Sequence, residues 1–127
     1  MTAIDARALP FAHVLPLSAS LSAEGHLALG GLDTVALAAE YGTPLYVFDA
    51  ETLKAQCRAY LDGFRAADPN TQVLYASKAF LNRPFARFIA QQGLGFDVVS
   101  GGEIEVLRAA GVDLATAYFH GNNKTPA

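Results

Sequence analysis

Three side chains in this 127-residue sequence have chemistry suited to acting on a small molecule, and they fall at equivalent places in its pattern. Lys78 ends the run Val73-Leu74-Tyr75-Ala76-Ser77, Asp97 sits within Gly95-Phe96-Asp97-Val98-Val99, and His120 closes Ala117-Tyr118-Phe119-His120. Each run reads as a strand, so each residue lies at or near a strand's C-terminal end. In parallel α/β architectures that end is where ligands bind and catalysis occurs. A lysine finishing a buried strand is expected to have apolar surroundings for its stem and little water at its head. Such a site favours the neutral amine, the form that attacks carbonyls. Plain alternatives stand beside each residue: a solvated edge lysine, an aspartate capping a loop, a structural histidine.

The elements that must position these residues can be read from periodicity and punctuation. A helix is predicted from its N-cap Asp33 to Tyr41, with Gly42 as its stop. Leu45-Tyr46-Val47-Phe48 reads as a strand, and Asp49 caps a helix that carries Glu51 in its first turn and ends near Asp68-Pro69-Asn70. The strand Gln72–Lys78 then turns through Asn82 and Pro84 into a helix with Phe85, Phe88 and Ile89 on one face and Gly93 after its end. After the strand Gly95–Val99, the spacing of Ser100 and Glu103 fits a capping box, opening a helix through Ile104 and Leu107 to Gly111. Ala117–His120 is the last predicted strand, and residues 121–126 read as a loop into another helix.

Strands alternating with helices predict a parallel sheet covered by helices, in an open sheet or a closed barrel. Thr125-Pro126 reads as a helix start with no helix after it, so the chain is expected to be a piece of a longer protein. The fold class expected is α/β: the N-terminal part of a (β/α)8 TIM-type barrel, which needs about 250 residues to close. Residues 1–31 differ from everything after them, and the N-terminal arm is expected to span 1–40. Leu17–Leu21 and His26–Leu29 flank Ala23-Glu24-Gly25 as a hairpin closed by Gly30-Gly31, so a short β arm is expected before a barrel portion spanning 41–127.

Composition narrows the function classes. Apolar residues make up 52% and charged residues 17%, which is the composition of a globular interior. Nine Lys and Arg against twelve Asp and Glu give a net charge of -3 with no basic block, which argues against nucleic acid as a partner. No stretch approaches the roughly 20 apolar residues of a membrane span, and the start lacks the pattern of a signal peptide. A soluble, cytoplasmic protein is expected. One cysteine allows neither an internal disulfide nor a cysteine-based zinc site, and no metal is expected. Cys57 lies on the helical stripe Leu53, Cys57, Tyr60, Leu61, Phe64 and reads as a small buried hydrophobe.

Tyr75-Ala76-Ser77-Lys78-Ala79 resembles the cofactor-lysine motif of the pyridoxal-phosphate enzymes built on an alanine-racemase-like barrel, which include the basic amino-acid decarboxylases. Gly95 to Glu103 resembles the next block of that family. Phe119-His120-Gly121-Asn122-Asn123-Lys124-Thr125 and the lead-in Tyr41 to Val47 resemble its diaminopimelate-decarboxylase branch. The blocks cover about residues 30 to 127, in order. This resemblance implies pyridoxal 5'-phosphate bound to Lys78 as a Schiff base and decarboxylation of meso-diaminopimelate to L-lysine. It further implies an arm belonging to a second β-domain, and a homodimer when the protein is full length.

In the resemblance Asp97 is an acidic residue close to the cofactor lysine, placed to position it or to assist its proton transfers. His120 is implied near the cofactor, shaping a branch-specific pocket, while Glu103 matches an acidic position that its capping role also explains. Two departures stand out. Phe80 follows Lys78-Ala79 where the family often has asparagine, and the family's phosphate loop and ring contacts come from segments later than residue 127. The alternatives are a related decarboxylase of ornithine, arginine or carboxynorspermidine, a non-enzymatic pyridoxal-phosphate barrel protein, and a small α/β interaction domain.

Overall fold

The computed structural model describes residues 4–5, 11–121 and 124. The chain divides into two compact units, Met1–Gln56 and Cys57–Ala127, the division falling within a helix. Residues 122, 123 and 125–127, which include the expected helix start at Thr125-Pro126, lie outside the described residues. Among the described residues no helix is long and apolar enough to cross a membrane.

The first unit is built on an antiparallel meander of four short strands: β1 (Ile4–Asp5), β2 (Ser20–Leu21), β3 (Leu27–Leu29) and β4 (Leu32–Asp33). The expected hairpin forms between β2 and β3, held by Ser22 N–H on the His26 carbonyl at 2.8 Å. Gly30-Gly31 does more than close it. Both residues take positive φ, 57° and 81°, which a tight turn demands and only glycine adopts without strain, and they start a second hairpin into β4.

Helix α1 (Thr34–Tyr41) starts where predicted, the Asp33 carboxylate accepting from Val35 and Ala36 N–H, and stops at Gly42 with φ 82°. The Asp33 carboxyl is held below its usual range, first by the Ala36 N–H and further by His26, whose Nδ1 lies 2.9 Å from Oδ2. Asp49 caps α2 (Ala50–Ala67) by accepting from Thr52 N–H at 2.9 Å. It also accepts from the hydroxyls of Thr52 and Ser18. Burial pushes the Asp49 carboxyl up, but these bonds outweigh it and the net shift is downward.

The predicted strand at residues 45–48 belongs to neither sheet. Its β-forming composition is real, but a strand exists through a neighbouring ladder. These residues are exposed instead, Tyr46 by 89%.

The second unit is a parallel sheet, β5 (Leu74–Ala76), β6 (Gly95–Val98) and β7 (Ala117–Phe119), with β6 in the centre. Helices α3 (Arg83–Gln91) and α4 (Gly101–Ala110) connect the strands, α4 capped as the sequence predicts and α3 capped by Asn82 of the predicted turn. Asn82 accepts from Phe85 N–H, and Ser100 from Glu103 N–H. The core comprises Cys57 and Leu61 of α2, Ala86 and Ile89 of α3, Leu107 and Ala110 of α4, and Leu94, Phe96 and Val98 at β6. Cys57 is thus the buried hydrophobe expected, its thiol pushed up by burial. Tyr60 and Phe64 of the same predicted stripe are more than half exposed, so the buried seam of α2 is narrower than its apolar stripe.

Strand β6 approaches its neighbours at Gly95 more closely than a side chain permits. A Cβ there would lie 2.5 Å from the Thr116 carbonyl oxygen and 2.7 Å from Leu74 Cδ2. The space is used by Gln72, whose Oε1 accepts from the Tyr118 hydroxyl at 2.8 Å and so links the two outer strands. Replacing Gly95 by Ala is expected to cost about 1–3 kcal/mol through overpacking. Denaturant unfolding of the protein checks this: the midpoint should fall at unchanged slope, and an unshifted midpoint would show that the strands can separate freely.

Candidate active site

The register of the parallel sheet fixes where the three chemically equipped residues stand. Ala76, Asp97 and Tyr118 are direct neighbours across β5, β6 and β7. The adjacent row, Tyr75, Phe96 and Ala117, faces the helices, since Phe96 is fully buried and all three belong to the core or pack on it. Alternation therefore puts Asp97 on the face away from the helices. His120 lies two residues beyond Tyr118 and so continues that face, its N–H bonded to the Val98 carbonyl at 2.8 Å.

His120 Nδ1 lies 3.1 Å from Asp97 Oδ1, with the imidazole largely exposed and the carboxylate a quarter exposed. The contact is an ion-pair approach without hydrogen-bond alignment, for Asp97 Oδ1 is buried and has no hydrogen-bond partner among the described residues. Such an acceptor costs about 1–3 kcal/mol relative to one that is satisfied.

Lys78 departs from expectation. Strand β5 ends at Ala76, and Ser77–Ala79 form a single 3-10 turn that carries Lys78 up onto the rim. Its side chain is exposed among the described residues rather than enclosed by them. The reason is local: Ser77 takes the inward position and is 1% exposed, which turns the next residue outward. Lys78 makes no ion pair among the described residues. It nonetheless stays at the C-terminal end of the sheet, two residues past the strand neighbour of Asp97. A crevice of about 240 Å³ lined by Gln72, Leu94, Gly95, Asp113 and Thr116 opens at the opposite end and does not touch these residues.

Glu103 is engaged in capping. Its Oε2 accepts from Val99 N–H at 2.6 Å while its own N–H bonds the Ser100 hydroxyl. The carboxylate reaches one residue further back than the usual capping box, which ties the end of β6 to the start of α4. Two features of the rim were not legible in the pattern: the buried Ser77 hydroxyl, without a hydrogen-bond partner among the described residues, and the Tyr75 hydroxyl, which donates to the Phe80 carbonyl at 2.9 Å. Burial pushes the Tyr75 phenol up. Strand alternation assigns Tyr75 to the core, and nothing in composition shows that its far end reaches past the turn.

Residues 50–127 match the family model described as "Pyridoxal-dependent decarboxylase, pyridoxal binding domain". The chain belongs to the pyridoxal-dependent decarboxylases. Within that family it is 44% identical over 101 residues to diaminopimelate decarboxylase of Bacillus subtilis, covering 80% of this chain and 23% of the relative. It is 43% identical over 104 residues to that of Bacillus methanolicus, covering 82% and 24%. The crystal structure of diaminopimelate decarboxylase from M. jannaschii in co-complex with L-lysine superposes with a TM-score of 0.76 at 34% identity, over 86% of this chain and 26% of that one. The chain thus spans about a quarter of the length of the curated relatives it matches. Its mixed α/β fold is that of the pyridoxal-binding domain of these decarboxylases.

The capping assignment of Glu103 in this decarboxylase domain can be checked by substitution. Glu103→Ala is expected to lower stability by about 1–2 kcal/mol, and Glu103→Gln, which keeps an acceptor oxygen, by less than half of that. Thermal or denaturant unfolding measures both, and equal losses from the two would mean that the negative charge, not the bond to Val99, is what matters.

Proposed function

We propose that the complete protein is a pyridoxal-phosphate-dependent carboxy-lyase acting on meso-diaminopimelate to give L-lysine, with Lys78 as the residue that holds the cofactor. The observation that carries this reading is the exposed Lys78 amine on the C-terminal rim of the parallel sheet, free of any ion pair among the described residues. It stands in a chain more than 40% identical to diaminopimelate decarboxylases. Residues 41–127 are then the first portion of a (β/α)8 barrel and residues 1–40 an arm of a second β-domain. The whole is a cytoplasmic homodimer.

The residues present fit the cofactor. Lys78 offers a primary amine that a carbonyl carbon can reach, and the Asp97 Oδ1 acceptor, buried and unsatisfied, provides a place for an N–H donor beside it. When bound, pyridoxal phosphate supplies an electron sink for the pair left by a departing carboxylate. Lys78 fixes the cofactor covalently through Nζ. Asp97 is held by backbone pairing on both sides of β6, so its carboxylate orients donors at the rim without being able to slide. His120, 3.1 Å from Oδ1, limits how that carboxylate can turn and borders the space left for substrate.

Borohydride reduction of the full-length protein with its cofactor, followed by peptide mapping, tests the assignment. This chain has three lysines, Lys54, Lys78 and Lys124, the last lying over the Phe119 ring at the same rim. Label on Lys78 is expected, and label on another lysine, or none, overturns the reading. Lys78→Ala in the full-length protein should abolish lysine formation from meso-diaminopimelate.

A further inference from the structure

We infer that Tyr75 is a positioning residue for Lys78, gripping the far side of the turn that carries the lysine while its ring is anchored in the core. This rests on the assignment of Lys78 as cofactor lysine. Tyr75 belongs to the row of β5 that faces the helices, and its ring packs edge-on against Phe85 of α3, centroids 5.4 Å apart at 62°. It cannot touch anything bound on the opposite face. Its hydroxyl nevertheless extends beyond the end of the strand and donates to the Phe80 carbonyl at 2.9 Å.

The segment thus closed, Ala76 to Phe80, is the one that leaves the strand, forms the 3-10 turn and presents Lys78. Its far end is held from a second direction, because the Phe80 ring meets Phe85 edge-on, centroids 5.3 Å apart at 83°. Phe85 is therefore shared: it packs on Tyr75 before the lysine and on Phe80 after it. With Ser77 buried beneath, the turn is fixed at its entry, middle and exit, and the lysine stem leaves from a rigid base. Among the described residues no side chains enclose the lysine, so its direction is set by its backbone.

The bond is solvent-exposed, so water replaces it when the hydroxyl is lost and the fold survives. What changes is the motion of the turn. Tyr75→Phe in the full-length protein keeps the ring and removes the grip. In the cofactor-free protein, amide hydrogen exchange of the peptide covering residues 76–81 is expected to rise about tenfold, the range of one neutral hydrogen bond. Core peptides of α3 and β6 should be unchanged. In the loaded protein the visible circular dichroism of the bound cofactor should weaken, and kcat should fall with little change in KM. Exchange and visible dichroism equal to those of the unsubstituted protein would overturn the inference while leaving the Lys78 assignment standing. Reduction and mapping of the unsubstituted protein to a lysine other than Lys78 would overturn both.

Discussion

At its start strand β6 fits between the residues leading into β7 and strand β5 because residue 95 has no side chain. The Thr116 carbonyl and the Leu74 side chain occupy the space where a Cβ would stand, and the link from Gln72 to Tyr118 passes the same point. That closeness at the start of β6 keeps the three strands in phase to their C-terminal ends. Ala76, Asp97 and Tyr118 consequently stand in one row, and Asp97 is placed by backbone pairing on both sides.

The two faces of this sheet are unequal in what they demand. Phe96 and Val98 face helices and are almost wholly buried, and dispersion and hydrophobic burial account for their position. On the other face Asp97 keeps a buried oxygen without a hydrogen-bond partner among the described residues, beside a histidine that approaches it off-axis. Packing alone gives no reason to tolerate that cost. A proposed cofactor site on this face does, since an unsatisfied acceptor there is ready for an N–H donor that arrives with the ligand or with the lysine that holds it.

Local chemistry made much of the fold legible. The caps at Asp33, Asp49 and Ser100 are set by side chains within three residues of the helix ends and the stop at Gly111 by glycine's freedom at positive φ, and the structure follows them. Residues 45–48 failed as a strand for the complementary reason: their β-forming side chains are a local property, whereas a ladder requires a partner far away in sequence. Cys57 was correctly read as buried; of the other residues on its stripe Leu61 is buried while Tyr60 and Phe64 are exposed, because the width of the buried seam depends on which neighbours cover it. The placement of Asp97 and His120 on a common rim was legible from strand ends alone. Their 3.1 Å approach was not, because it depends on the register of β6 against β7.

Lys78 shows how a sequence signal can be right about a residue's place and wrong about the backbone that holds it. The signal was an apolar run ending in lysine, read as strand to its end. The strand instead stops at Ala76 and the inward position goes to Ser77, leaving the lysine outside. Direction is a control over its chemistry that this part of the chain supplies by itself. Orientation is not a weak substitute, since holding reacting groups in line is worth about 7–11 kcal/mol in favourable cases. A turn seated on a buried serine, entered from a core strand and clamped through shared contacts with Phe85, has the stiffness that such control requires. The aromatic residues that restrain the backbone of Lys78 sit on the helix-covered side of the sheet, where they cannot obstruct an incoming carbonyl.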